Sequence, residues 1–146
     1  MVLVVDDSAL IRERLAAMVG EIPGVEVHQA ADGEEALRVA RGRLPDLVLL
    51  DLHLPGGGGL AVLPRIKALP SAPIVVVLTG DPTEHHRRES LARGADFFVD
   101  KAGDFAPVLA LGLGLTRGKP SSDAAPLESP TEDRVPRRRR GPRRRP

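Results

Sequence analysis

Residues 47–51 read Leu47-Val48-Leu49-Leu50-Asp51, four apolar residues in a row closed by a carboxylate. A run this short without polar alternation suits a strand covered on both faces, as strands in parallel sheets are. Working outward, similar runs occur at Val2 to Val5, Val25 to Gln29, Ile74 to Val77 and Phe97 to Val99. Segments of helical period separate them, so five strands alternate with helices, the pattern of an α/β fold with a parallel sheet. Before the first intervening helix stands Ser8, a good N-cap, and Ile11, Leu15, Met18 and Val19 share one face up to Gly20. The second helix follows Asp32-Gly33, spaces Leu37, Ala40 and Leu44 along one side, and is stopped by Pro45.

Three further helices are expected. One runs from about Leu60 to Leu69 and contains Pro64, which cannot donate a backbone hydrogen bond and should kink the segment or delay its start. Another, from Thr83 to Arg93, is mostly polar, with Pro82 suited to its first turn. The last, from Asp104 to about Leu115, carries Gly112 and Gly114, each costing about 1 kcal/mol of helix stability relative to Ala.

The chain has 146 residues and is 42% hydrophobic, enough for one core. Residues 1–115 carry eleven Lys and Arg against sixteen Asp and Glu, whereas residues 116–146 carry ten against four. An acidic body is therefore expected to end in a basic tail, read as disordered because Pro, Ser and charged residues replace the periodic apolar pattern. Cys is absent, which excludes disulfides and thiolate metal sites and suits a reducing compartment. No apolar run reaches the roughly 20 residues that span a bilayer, and no leader pattern opens the chain. A soluble cytoplasmic protein is expected.

In an open parallel sheet, ligands collect at the carboxyl ends of the strands. Asp6-Asp7 follows the first strand, Asp51 the third, Thr79 the fourth and Lys101 the fifth. Three carboxylates at one edge repel one another and raise their own pKa values unless a cation stands between them. A hard divalent ion such as Mg²⁺, which favours oxygen ligands and is often shared with phosphate, resolves the conflict.

The motifs Val4-Val5-Asp6-Asp7-Ser8, Asp51-Leu52-His53-Leu54-Pro55 with Gly59, Thr79-Gly80, Gly94-Ala95-Asp96 and Asp100-Lys101 resemble the response-regulator receiver family of bacterial two-component systems. Spacing agrees: 44 residues separate Asp7 from Asp51, and 22 separate Thr79 from Lys101. The resemblance spans Met1 to about Leu115 and implies a doubly wound, flavodoxin-like sheet of order 2-1-3-4-5. It further implies that Asp51 is the nucleophile that takes a phosphoryl group from a sensor histidine kinase, a phosphotransfer protein or a small phosphodonor. Asp7 and Asp51 would ligate Mg²⁺ directly, the backbone carbonyl of His53 would complete the set, and Asp6 would act chiefly through water. Lys101 would stabilise charge on the phosphoryl oxygens. Thr79 would read out the modification by a hydrogen bond that alters the face formed by the fourth helix, fifth strand and fifth helix, where a downstream protein would bind. Phe98, three before Lys101, occupies the family's aromatic switch position, and its alternative reading is a core residue.

The pattern is not complete. Ala102 stands where the family usually has Pro after a cis peptide, and a cis bond to a non-proline residue costs about 3 kcal/mol, so the geometry there is open. Gly56-Gly57-Gly58 replaces larger residues and should loosen the connection beside the metal site. His53 and Asp81, two positions after Asp51 and Thr79, border the path of hydrolytic water and are candidates for setting the lifetime of the acyl phosphate. His28, His53, His85 and His86 could suggest a transition-metal site, but adjacent His85 and His86 point to different sides of a helix and no other soft ligands accompany them, which argues against one. The Arg run from Arg137 to Arg145 suits nonspecific contact with polyanions, but it lacks aromatics or a helix-turn-helix pattern for specific DNA recognition.

The leading expectation is a single-domain phosphoacceptor in a phosphorelay, not an enzyme acting on a separate substrate. A receiver fold that works by interaction without phosphate is the alternative. An aspartyl-phosphate phosphohydrolase is disfavoured, because such enzymes generally place a second Asp where this chain has His53.

Overall fold

The computed structural model describes residues 1–104 and 106–117. In chain order the elements are β1 (Val2–Val5), α1 (Ala9–Gly20), β2 (Val27–Ala30), α2 (Gly33–Arg43), β3 (Leu47–Asp51), α3 (Gly58–Lys67), β4 (Ile74–Thr79), α4 (Glu84–Ala92), β5 (Phe97–Asp100) and α5 (Ala106–Arg117). The sheet order is β2-β1-β3-β4-β5, with every pairing parallel. The alternation of runs predicts the parallel sheet, and the order is the flavodoxin-like one that the family resemblance implies. The tail from residue 116 lies outside the described residues, apart from the last turn of α5.

Strand pleating divides the core into two layers. Leu3, Val5, Val48, Leu50, Val75 and Val77 join Leu37, Ala40, Leu63 and Ile66 of α2 and α3. Val2, Val4, Leu47, Leu49, Val76 and Leu78 join Leu15, Val19, Leu109 and Leu113 of α1 and α5. Leu3, Val4, Leu47 and Leu50 have no exposed surface. Complete burial of such a side chain stabilises the fold by about 1.5–3 kcal/mol.

Local chemistry sets the boundaries. Ser8 caps α1 by accepting from the Ile11 N–H, and Asp32 caps α2 by accepting from the Glu35 N–H. At the far end of α2, Leu44 takes a left-handed conformation with φ 47°, so the helix turns off one residue before Pro45. β2 begins at Val27 rather than Val25, because the Val25 N–H is held by the Ile22 carbonyl in the preceding turn. Thr83 rather than Pro82 opens α4: its hydroxyl accepts from the His86 N–H at 3.1 Å, and Pro82 stands just outside.

Pro64 does not delay α3, which begins at Gly58, two residues before the expected start. The carbonyl that a residue at position 64 would normally engage is that of Leu60, four residues earlier. Arg93, the C-cap of α4, supplies the missing donor through Nη1 at 3.0 Å. Gly112 likewise has a packing reason: a Cβ there would sit 3.1 Å from Leu47 Cδ1, so its absence lets α5 lie close on the sheet.

Candidate functional site

The parallel register delivers the polar residues to one edge. Val5 pairs with Leu50 and Asp51 with Leu78, so the ends of β1, β3 and β4 lie side by side. The ladder continues past the strands: the Asp6 N–H donates to Ala30, the Leu52 N–H to Leu78 and the Lys101 N–H to Thr79, at 3.1, 3.2 and 2.8 Å. Asp51 and Thr79 are the last residues of their strands rather than the first of the loops.

Asp6, Asp51 and Thr79 are buried, being 1%, 3% and 0% exposed, while Asp7 is exposed. Lys101 reaches back across the edge, placing Nζ 2.7 Å from Asp6 Oδ2 and 3.1 Å from Asp51 Oδ1. Asp51 Oδ1 also accepts from the His53 N–H at 3.2 Å. Asp6 Oδ1 accepts from the Ser8 N–H at 2.9 Å, and Arg12 Nη1 donates to the Asp6 backbone carbonyl at 2.8 Å. Oδ2 of Asp6 is buried without an aligned hydrogen-bond donor, so the nearby ammonium satisfies it only as a charge.

The electrostatics follow from these contacts. Burial pushes the Asp51 carboxyl above its ordinary value; the His53 N–H opposes this, the Asp6 charge adds to it, and Lys101 opposes it. Burial pulls Lys101 downward, but the close Asp6 and Asp51 carboxylates outweigh that effect and raise its pKa. Both shifts express the same imbalance: two buried carboxylates share one ammonium.

One carboxylate oxygen from each of Asp6, Asp7 and Asp51 lies within 4.8 Å of the others. An all-oxygen set with surplus negative charge and a poorly satisfied buried oxygen fits a hard dication such as Mg²⁺. Gly59 keeps the adjoining loop close, since a Cβ there would run into the Asp51 carbonyl. The preceding glycines do more than loosen this connection. Gly56, Gly57 and Gly58 all have left-handed φ values, 74°, 109° and 78°, and together make the turn that leads into α3.

The Lys101–Ala102 peptide is trans, and the Asp100 carboxylate holds the loop by accepting from the Ala102 N–H at 2.8 Å. Thr79 Oγ1 accepts from the Asp81 N–H at 3.0 Å. Phe97, not Phe98, is the fully buried aromatic, whereas Phe98 is half-buried against the α2 and α3 layer. His53 is exposed, and its ring meets that of His86 edge-on with centroids 5.6 Å apart. The sequence places His86 beside His85 and far from His53, so the four histidines argued against a shared site until the fold brought these two rings together. The position of His53 two residues after Asp51, facing the loop that carries Asp81, was the one available signal.

A five-stranded parallel sheet of this order, with an acidic pocket and a lysine at its carboxyl edge, defines a doubly wound α/β domain whose ligand site lies at the strand ends. Residues 2–111 match the response regulator receiver domain model, and the chain belongs to that family. It is 46% identical over 101 residues to protein-glutamate methylesterase/protein-glutamine glutaminase 2 of Anaeromyxobacter dehalogenans, covering 68% of this chain and 29% of that one. It is 36% identical over 132 residues to the phosphate regulon transcriptional regulatory protein PhoB of Pseudomonas aeruginosa, covering 87% and 56%. The chain thus spans about a third to a half of the length of these curated relatives.

Among solved structures, a Burkholderia pseudomallei response regulator with a phosphorylated aspartic acid, calcium ion and citrate superposes with a TM-score of 0.71 at 27% identity. The match covers 80% of this chain and 68% of that one. A CheY-like receiver domain protein of Methanospirillum hungatei gives 0.70 at 26% identity, covering 80% and 92%. No helix among the described residues is long and apolar enough to cross a membrane.

Proposed function

We propose that the chain is a phosphoacceptor in a two-component relay, with Asp51 receiving the phosphoryl group from a histidine kinase, a phosphotransfer protein or a small acyl phosphate. The observation that carries this reading is the contact of Lys101 Nζ with both buried carboxylates, 2.7 Å from Asp6 and 3.1 Å from Asp51. A carboxylate oxygen of Asp51 forms the new O–P bond while the bond from phosphorus to the donor breaks and the leaving group keeps the electron pair. Lys101 holds Asp51 in its charged, nucleophilic form against the effect of burial, and it remains within reach of the developing charge on the phosphoryl oxygens.

Asp6, Asp7 and Asp51, with the backbone carbonyl of His53, would hold Mg²⁺, which when bound neutralises both the acidic cluster and the transferring phosphoryl group. Thr79 accepts from the Asp81 N–H and still has a proton to give, so its hydroxyl can donate to a phosphoryl oxygen and draw the β4–α4 loop inward. Phe98 would follow that loop, changing the face of α4, β5 and α5 offered to a downstream protein. Exposed His53 and Asp81 flank the approach of water and would set the lifetime of the acyl phosphate. The chain would thus assist its own phosphorylation and dephosphorylation rather than turn over a separate substrate.

The test is incubation with Mg²⁺ and acetyl phosphate followed by intact mass. One added phosphoryl group is expected in the wild type and none in Asp51→Asn. Labelling of the Asn variant at the wild-type rate would refute the assignment.

A further inference from the structure

Three side chains from separate segments converge beside the acidic pocket: His53 after β3, Asp81 after β4, and His86 in the first turn of α4. One ligand atom of each lies within 4.8 Å of the other two. The His53 and His86 rings stand at 75° to one another, and His86 Nδ1 is 2.9 Å from the Asp81 carbonyl oxygen and 3.8 Å from its carboxylate. His53 and His86 also line one hollow with Asp7 and Leu54, so the two imidazoles border a space that one residue of the acidic cluster shares.

We propose that His53, Asp81 and His86 form a second metal site, one for a transition-metal dication, Zn²⁺ in particular. Two imidazoles and a carboxylate are a borderline-soft donor set that suits Zn²⁺ and discriminates against Mg²⁺, whereas the neighbouring Asp6, Asp7 and Asp51 cluster has the opposite preference. Three protein ligands leave one tetrahedral position open to water or another donor. Bonds of about 2.0–2.1 Å require the ligand atoms to close to roughly 3.4 Å. Side-chain rotation can supply that closure, because Asp81 is 64% exposed and His53 is also at the surface. His86 is the fixed member, its backbone N–H held by the N-cap Thr83 at 3.1 Å. His85 takes no part, since its ring turns to Glu89 at 3.7 Å.

Occupation would tie the β3–α3 loop, the β4–α4 loop and α4 together at the mouth of the pocket. The Asp81 N–H holds the Thr79 hydroxyl, so the same ion would restrain the segment through which Thr79 responds. That this restraint would slow phosphoryl transfer rests on the proposed role of Asp51. Zn²⁺ binding does not.

The experiment titrates the full chain with Zn²⁺ by calorimetry while Mg²⁺ saturates the acidic cluster, with Co²⁺ as a spectroscopic substitute. The expected result is a single site whose affinity falls about tenfold or more in His53→Ala, Asp81→Asn and His86→Ala and is unchanged in His85→Ala. The Co²⁺ form should show the visible bands of a four-coordinate ion. Wild-type Zn²⁺ affinity in folded His86→Ala, or an equal loss in His85→Ala, would overturn the site. In a second arm, Zn²⁺ should slow acetyl phosphate labelling of the wild type but not of His86→Ala. Equal slowing of both would overturn the gating, while failure of labelling without Zn²⁺ would defeat the phosphoacceptor reading and leave the binding result standing.

Discussion

The molecule uses the same residue types at opposite edges of one sheet for different ends. At the amino edge of β4 and β5, Lys67 Nζ and the Val75 N–H both donate to Asp96 Oδ2 at 2.8 Å, and Lys67 also donates to the Pro73 carbonyl at 2.9 Å. One ammonium meets one carboxylate, and the donors are matched. At the carboxyl edge Lys101 faces both Asp6 and Asp51, with Asp7 adjoining, and the Asp51 pKa is raised. Balanced charge makes a clasp, whereas a surplus of one sign makes a receptor for the missing charge.

The largest effect that would test this contrast belongs to the clasp. Asp96→Ala leaves the Lys67 ammonium with only the Pro73 carbonyl and the buried Val75 N–H without its acceptor, and should cost about 2–3 kcal/mol in urea unfolding. Acetyl phosphate labelling per folded molecule should persist. A neutral effect on stability would mean that water replaces the carboxylate without loss.

Next in size is the response of the receptor edge to the ion it lacks charge without. At ten times its dissociation constant, Mg²⁺ should stabilise the wild type by about 1.4 kcal/mol, measured as a rise in Tm. Asp7→Ala should lose most of that rise, whereas Asp32→Ala, which alters only the cap of α2, should keep it. Equal responses in the two variants would place the ion elsewhere.

The smallest effect is a gain. Because the Asp51 pKa is raised in the fold, its ionisation opposes folding: that opposition is absent below the unfolded carboxyl pKa and complete once the pH exceeds the folded one. Without Mg²⁺, Asp51→Asn should therefore melt above the wild type at neutral pH, and the difference should vanish on acidification below the ordinary carboxyl range. A lower Tm for the Asn variant at neutral pH would show that pairing with Lys101 outweighs burial and the Asp6 charge.

How much of this was legible depended on how far apart the partners lie in the chain. The converging edge could be read because apolar runs end beside polar residues, as Leu50 does beside Asp51, whereas the strand order came from the family resemblance. Capping by Ser8 was equally local. Lys67 and Asp96 are 29 residues apart, and Arg93 and Leu60 are 33 apart, so neither pair leaves a periodic trace. Gly112 read as a cost because helix propensity is local, while its benefit lies on Leu47 across the sheet. The glycines from Gly56 to Gly58 read as slack for a similar reason: composition reports the freedom of the unfolded chain, not the left-handed turn finally adopted.

The hydrogen bond between Arg93 and the Leu60 carbonyl gives α4 a fixed far end. Ser90, near that end, is its one fully buried residue, while Thr83 and His86 at the near end adjoin the Asp81 loop. A helix held at one end and tugged at the other swings as a lever. Because Pro64 vacates the carbonyl that Arg93 grips, a residue that looks like a flaw in α3 supplies the fulcrum for its neighbour. Pro64→Ala would return a backbone donor to that oxygen, which has two lone pairs, so the two helices would share one acceptor and the tilt of one would be felt by the other.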